Sequence, residues 1–282
     1  MENLNWQIEE IKNNIIVIEN ENEEIIESII EPIDLDVDTN NNIYIINSNT
    51  ITIERMNYIN GEYSDPTVID GFPKYNSSNY ISNVIVDKTG NILFIESDRK
   101  ILQIDNDGRL LEIHDVEENN SIKSLIVDDK NNLIFIVEKK INYRYVYSIE
   151  LLEHDTGNVI NLKDISTTPY RDNLYLAKNP FVNIYYMIGS HIYKLDDDVP
   201  YLTYEQEEPL DITCDIDGNL LVLFRYHVEI VYHENRYKLC DIGEDHGYPY
   251  VIAVDYNGDV IITTDQVILK CYKPRLVKSA MY

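Results

Sequence analysis

The chain of 282 residues is short of several things, and each shortage narrows its chemistry. Lys and Arg number 23 against 50 Asp and Glu, a formal charge of −27. Nucleic-acid binding, which needs cations to displace condensed counterions, is thereby excluded, and an anionic membrane surface is disfavoured. The sequence has no apolar run near the roughly 20 residues of a membrane helix, and its acidic start, MENLNWQIEEIKNN, does not read as a signal peptide. The three cysteines, Cys214, Cys240 and Cys271, form no CxxC pair, which removes zinc knuckles and dithiol redox motifs and leaves reduced structural thiols. An intracellular, cytoplasmic setting follows as the expectation. HExxH, GxSxG, a P-loop and GxGxxG are all missing, so the nucleophile elbow and phosphate-cradling chemistries find no support. Sustained helical periodicity is also lacking; only Leu4 to Lys12 could form a turn or two.

What is present is a repeat. An apolar segment ends in Val-Asp, a polar turn follows, and a second apolar segment begins near Asn-Ile: DLDVDTNNNIYII from Asp34, NVIVDKTGNILFI from Asn83, SLIVDDKNNLIFI from Ser124, DITCDIDGNLLVL from Asp211 and VIAVDYNGDVIIT from Val251. A degenerate copy starts at Leu174. The turn positions are Asp38, Asp87, Asp128, Lys178, Asp215 and Asp255, between 37 and 50 residues apart. Six such units of short Ile-, Val- and Tyr-rich strands broken by Asn/Asp/Gly turns predict an all-β, six-bladed β-propeller of four-stranded antiparallel blades. Its span is one domain over residues 1–282, with 1–12 a tail or short helix and 273–282 a C-terminal tail. The last unit runs out after Val267 to Tyr272, so N-terminal strands are expected to complete it and close the ring. One strand is then in excess, either Asn14 to Ile18 or Val267 to Tyr272, and a partial seventh blade stays open.

The Val-Asp-x-x-Gly-Asn-Ile unit, clearest at Val86 to Ile92 and Cys214 to Leu220, resembles the repeat of NHL-type six-bladed propellers. Asn replaces Gly at Asn41 and Asn131, and the fourth unit lacks the aspartate. The DxDG-like runs at Asp105, Asp215 and Asp255 put glycine at position four, where a calcium loop needs it at six. They read as turns in which Asp accepts backbone N–H groups and Gly or Asn takes positive φ. Of the six histidines, His227 and His233 share a strand face but stand about 20 Å apart, too far for one metal.

Four residues before each turn position stand Asp34, Asn83, Ser124, Leu174, Asp211 and Val251, which a propeller would ring around its channel mouth. Asp34, Asn83 and Asp211 offer the oxygen donors of a hard cation such as Ca²⁺. The arrangement is loosely similar to the channel metal site of lactonases related to regucalcin. The loops entering the inner strands carry Tyr75, Tyr80, Tyr170, Arg171, Tyr204, His246, Tyr248 and Tyr250, an amphipathic set suited to binding. With no catalytic motif in view, the leading expectation is a non-catalytic interaction or scaffold module. It would hold a basic or mixed-charge protein partner on those loops and need no cofactor. The alternatives are a metal-dependent propeller hydrolase, lactonase or lyase built on Asp34, Asn83 and Asp211, and a structural component of a larger assembly.

Overall fold

The computed structural model of the chain describes residues 23–26, 32–48, 50–73, 75, 80–141, 144–165, 174–178, 183–232 and 235–271. Six four-stranded antiparallel sheets account for nearly all of their strands, as the repeat predicts. Blade 1 runs outward through Pro32–Val37, Ile43–Asn47, Thr52–Met56 and Thr67–Val68, and blade 2 through Ile81–Val86, Ile92–Glu96, Lys100–Ile104 and Leu110–Asp115. Blades 3, 4 and 5 begin with the inner strands Asn120–Val127, Leu174–Lys178 and Asp211–Cys214. Each inner strand touches the next around the circle, and that of blade 6, Pro249–Val254, returns to blade 1. The outermost strand of blade 6 is Glu23–Ile26, paired antiparallel with Ile268–Cys271. A strand from the beginning of the chain therefore closes the ring, and Ile268–Cys271 is an authentic third strand. The other candidate for the surplus strand, Asn14 to Ile18, lies outside the described residues, as does the helix expected near Leu4.

Strands of Ile, Val, Leu and Phe that are apolar on both faces are what this geometry requires, since each blade is sandwiched between two others. Six buried clusters result, one per interface. Leu35, Ile45 and Ile261 pack between blades 1 and 6, and Tyr44, Ile46 and Phe94 between blades 1 and 2. Val222 and Phe224 join Tyr185 and Met187 between blades 4 and 5. Truncating any one fully buried isoleucine here would cost about 2–5 kcal/mol.

The repeated aspartate builds the hairpin between first and second strands. Asp87 Oδ1 accepts the amides of Thr89 (2.8 Å) and Asn91 (2.9 Å), while Oδ2 accepts Asn91 Nδ2 (2.8 Å). Asp38, Asp128 and Asp215 repeat the pattern with Asn42, Asn132 and Asn219. Positive φ falls on Asn41 (64°) and Asn131 (62°) where other units place Gly90 and Gly218, so the Asn-for-Gly exchanges preserve the turn. Blade 6 differs. The residue four positions after its turn aspartate is Asp259, whose side chain cannot donate, and Lys270 Nζ takes over, 2.9 Å from Asp255 Oδ2 and 3.4 Å from Asp259 Oδ2. This lysine is 1% exposed and also faces the rings of Tyr58 and Tyr63, on a two-stranded hairpin that follows the third strand of blade 1.

Candidate functional site

Inner strands expose one edge of unpaired N–H groups along the central channel, a liability that a sheet must manage. Here the side chains of the preceding blade cover it. Asp34 Oδ2 accepts Val84 N (2.8 Å), and Asp36 Oδ2 accepts Val86 N (2.8 Å). Asp211 Oδ2 accepts Ile252 N (3.0 Å), and Ser124 Oγ accepts Leu176 N (3.0 Å). Four of these edge contacts thus cross from one blade to the next. They also line the channel with carboxylates.

No cationic side chain pairs with those carboxylates among the described residues. Burial pushes the Asp34 carboxyl up to about 6, against three hydrogen bonds that favour its ionised form. Asp36 rises to about 7, through burial and then the neighbouring charges of Asp34 and Asp38. Asp211 rises to about 8, through burial and the charge of Asp34. The last coupling brings together two acids from blades 1 and 5. Tyr175, on the inner strand of blade 4, feels Asp211, Asp34 and Tyr248, and burial with those charges raises its phenol well above the ordinary range. It therefore remains a neutral hydrogen-bond donor at any ordinary pH.

Asn83 is displaced from its expected position. Asp34 pairs with Ile46 just past a register shift after Pro32, whereas Asn83 is itself the extra residue of a β-bulge between Ser82 and Val84, with φ 48°. The bulge turns its Nδ2 onto Asp34 Oδ2 at 3.2 Å and leaves its Oδ1 buried without a hydrogen-bond partner. A bulge beside a site re-aims a side chain in this way. Of the predicted ring, Asp34, Asn83 and Asp211 thus meet through contacts or charge, and Ser124 serves as an edge cap. Asp36 and Tyr175 were not foreseen, because the spacing argument followed one position per unit. The alternation of Asp34, Asp36 and Asp38 on one strand could have flagged Asp36.

The loop residues divide. Tyr248 and Tyr250 are exposed and in ring contact at 5.7 Å, and Tyr80 is exposed. Tyr75 is half-buried against Phe72. His246 ends a short 3-10 turn, Glu244–His246. Tyr204 is buried edge-on to Phe224 in the core between blades 4 and 5, and so offers no open contact area. Tyr170 and Arg171 lie outside the described residues, as does His233. His227 stacks on Phe224, next to Glu229 at 3.5 Å, far from any metal role. Cys214, Cys240 and Cys271 form no disulfide among the described residues.

A divalent cation of the kind the resemblance implies can be tested against this geometry. The described residues bring together no group of three His, Cys, Asp or Glu. They do offer two carboxylates without a counter-charge, together with the orphaned amide oxygen of Asn83. Oxygen donors of this chemistry fit a hard cation. No helix is long and apolar enough to cross a membrane among the described residues.

No family model and no curated protein matches the chain. Solved structures do match, with the same propeller fold. A streptogramin B lyase aligns at 12% identity over 88% of this chain and 96% of its own, with a TM-score of 0.60. The calcium-binding protein regucalcin of Agrobacterium tumefaciens aligns at 11% over 89% and 93%, with a TM-score of 0.59. XC5397 of Xanthomonas campestris, a gluconolactonase, aligns at 12% over 88% and 94%, with a TM-score of 0.61. The expectation of a non-catalytic scaffold is corrected by these neighbours, two of which, the lyase and the gluconolactonase, are named as enzymes. It had rested on the absence of a local catalytic motif. A propeller channel draws its site one residue at a time from separate blades, so no such motif need exist.

Proposed function

We propose that the chain is a propeller enzyme of the hydrolase or lyase kind, acting on a lactone or related cyclic ester at the channel mouth. The observation that carries the reading is the convergence of Asp34, Asp211 and Asn83 from three blades, with uncompensated acids and an orphaned amide oxygen. The enzyme names of neighbours that share the fold support it. A calcium-binding neighbour supports Ca²⁺ as the cation.

Asp34, Asp211 and Asn83 would hold the ion through oxygen. When bound, it would supply Lewis-acid polarisation of a carbonyl. The channel residues then have separate tasks. The backbone amides of Leu35, Val84, Ile212 and Ile252 fix the carboxylates in orientation, so little reorganisation is needed on binding. Tyr175, always protonated, can donate to an oxygen that gains negative charge.

The test uses chelated protein, a panel of γ- and δ-lactones, and Ca²⁺ added back, with acid release followed by pH-stat. Turnover that depends on Ca²⁺ is expected, with Asp34→Ala and Asp211→Ala each lowering kcat/KM by on the order of a hundredfold or more. Calorimetry should register Ca²⁺ binding to the parent and its loss in both variants. A panel without turnover, or turnover indifferent to both substitutions, would sink the proposal.

A further inference from the structure

Arg225 has no ion-pair or hydrogen-bond partner among the described residues, although carboxylates outnumber cations more than two to one in this chain. It occupies the loop between Leu223 and His227 in blade 5. Leu223 pairs with Asp211, so the loop stands at the Asp211 end of the channel. Instead of a carboxylate, the guanidinium lies over two rings, 5.1 Å from the centroid of Tyr226 and 5.5 Å from that of Tyr248. Tyr248 in turn meets Tyr250 at 5.7 Å. Tyr226 is 43% exposed, Tyr248 37% and Tyr250 38%, so the row keeps much of its π surface in water.

The row is held by its backbone. Tyr226 O accepts Ile242 N at 2.7 Å, fixing the blade 5 loop. Tyr248 N donates to Asp265 Oδ1 at 2.7 Å, and its carbonyl accepts Asp265 N at 3.0 Å. Gly247 has φ 88°, and a Cβ there would strike Asp265 Oδ1, so only glycine permits that clamp. Tyr248 also lies within electrostatic reach of Tyr175, which itself senses Asp211 and Asp34.

From this geometry we infer that Arg225, Tyr226, Tyr248 and Tyr250 form a subsite for a small molecule that carries both an aromatic ring and a carboxylate. A guanidinium lying over aromatic rings does not spend its N–H donors on them, and those donors suit bidentate capture of a carboxylate. The tyrosine faces supply stacking area with little ordering cost, because the loops that bear them are already fixed. Charge selects the anion at this point: the acidic chain repels anions elsewhere, and Arg225 is a local exception. The inference rests on the channel enzyme reading for the identity of the bound molecule as substrate. The subsite itself does not require turnover.

The probe is 2-naphthoate, titrated calorimetrically into the chelated full-length protein, alongside cyclohexanecarboxylate and 2-naphthalenemethanol. Binding of 2-naphthoate is expected, with either comparison compound weaker by about tenfold, since each lacks one of the two recognised groups. Arg225→Gln and Tyr248→Leu should each lower affinity for 2-naphthoate by about tenfold, and Arg225→Lys by less, since it keeps the charge and loses the planar fork. Circular dichroism establishes that these surface variants fold. Failure of 2-naphthoate to bind, or binding unchanged in Arg225→Gln and Tyr248→Leu, overturns the subsite. Loss of binding in Asp211→Asn alone would put the ligand in the channel and overturn it too. If binding depends on Arg225 while no lactone is turned over, the subsite stands and the proposed reaction falls.

Discussion

Asp34 and Asp38 lie four residues apart, one near the start of an inner strand and the other just past its end, yet they do opposite work. Asp38 takes two backbone amides and a side-chain amide from its own turn, all within four residues. Asp34 takes one amide from its neighbour, then reaches 50 positions along the chain to Val84 in the next blade. The turn acid is answered by donors its own sequence supplies. The channel acid faces other acids, and burial there raises its carboxyl to about 6. The same residue type caps a turn at one end of a strand and sits as a buried, raised-pKa acid at the other, and the difference is the company brought by the ring.

The sharpest way to stress that contrast is at Lys270, where the turn pattern changes partner. Lys270→Met would leave Asp255 and Asp259 buried without a cation, and urea unfolding should show a loss of about 3–5 kcal/mol. A smaller loss would mean that the blade 6 turn is not held by charge. Next is Asp215→Ala, which strips donors at Asp217, Asn219 and the Asn219 amide of their acceptor. A loss of about 2–3 kcal/mol is expected from urea unfolding.

Asp211→Asn should behave in the reverse sense. A carboxyl whose folded value, about 8, exceeds its unfolded value near 3.8 stabilises the fold below pH 4 and progressively loses that contribution up to pH 8. In chelator, the wild type should therefore lose stability steadily relative to the Asn variant as pH rises from 4 to 8, read by thermal or urea melts. Ca²⁺ should cancel much of that loss in the wild type only. If Asp211→Asn instead tracks Asp215→Ala across the pH range, the two classes of aspartate are one. The smallest effect belongs to the exposed pair Lys88 and Asp129, 2.8 Å apart on the turn side of the ring. Lys88→Ala should cost no more than about 1 kcal/mol and vanish in high salt.

Legibility in the sequence followed the range of the interaction. The hairpin aspartates, their positive-φ partners and the apolar strands act within about ten residues, so one unit displays them, and five of the six units repeat the turn aspartate. Ring closure was legible as well, because blade 6 ran out one strand short and an N-terminal strand was left to pair with its open edge. Tyr204 shows the limit: a loop tyrosine by its spacing, it is core because Phe224 from the next blade covers it. Asn83 shows another, since a bulge invisible in the spacing moved it out of step and freed its Oδ1.

Sequence alone thus determined the all-β repeat, the number of blades and the chemistry of the turns, because those depend on local hydrogen bonding and on the alternation of strands. Tertiary structure alone decided which acids would share the channel, that Arg225 would lie on tyrosines rather than on a carboxylate, and that Asp34 and Asp211 would feel each other's charge. Those outcomes depend on bringing together residues from different blades, and distance along the chain carries no information about distance across a closed ring.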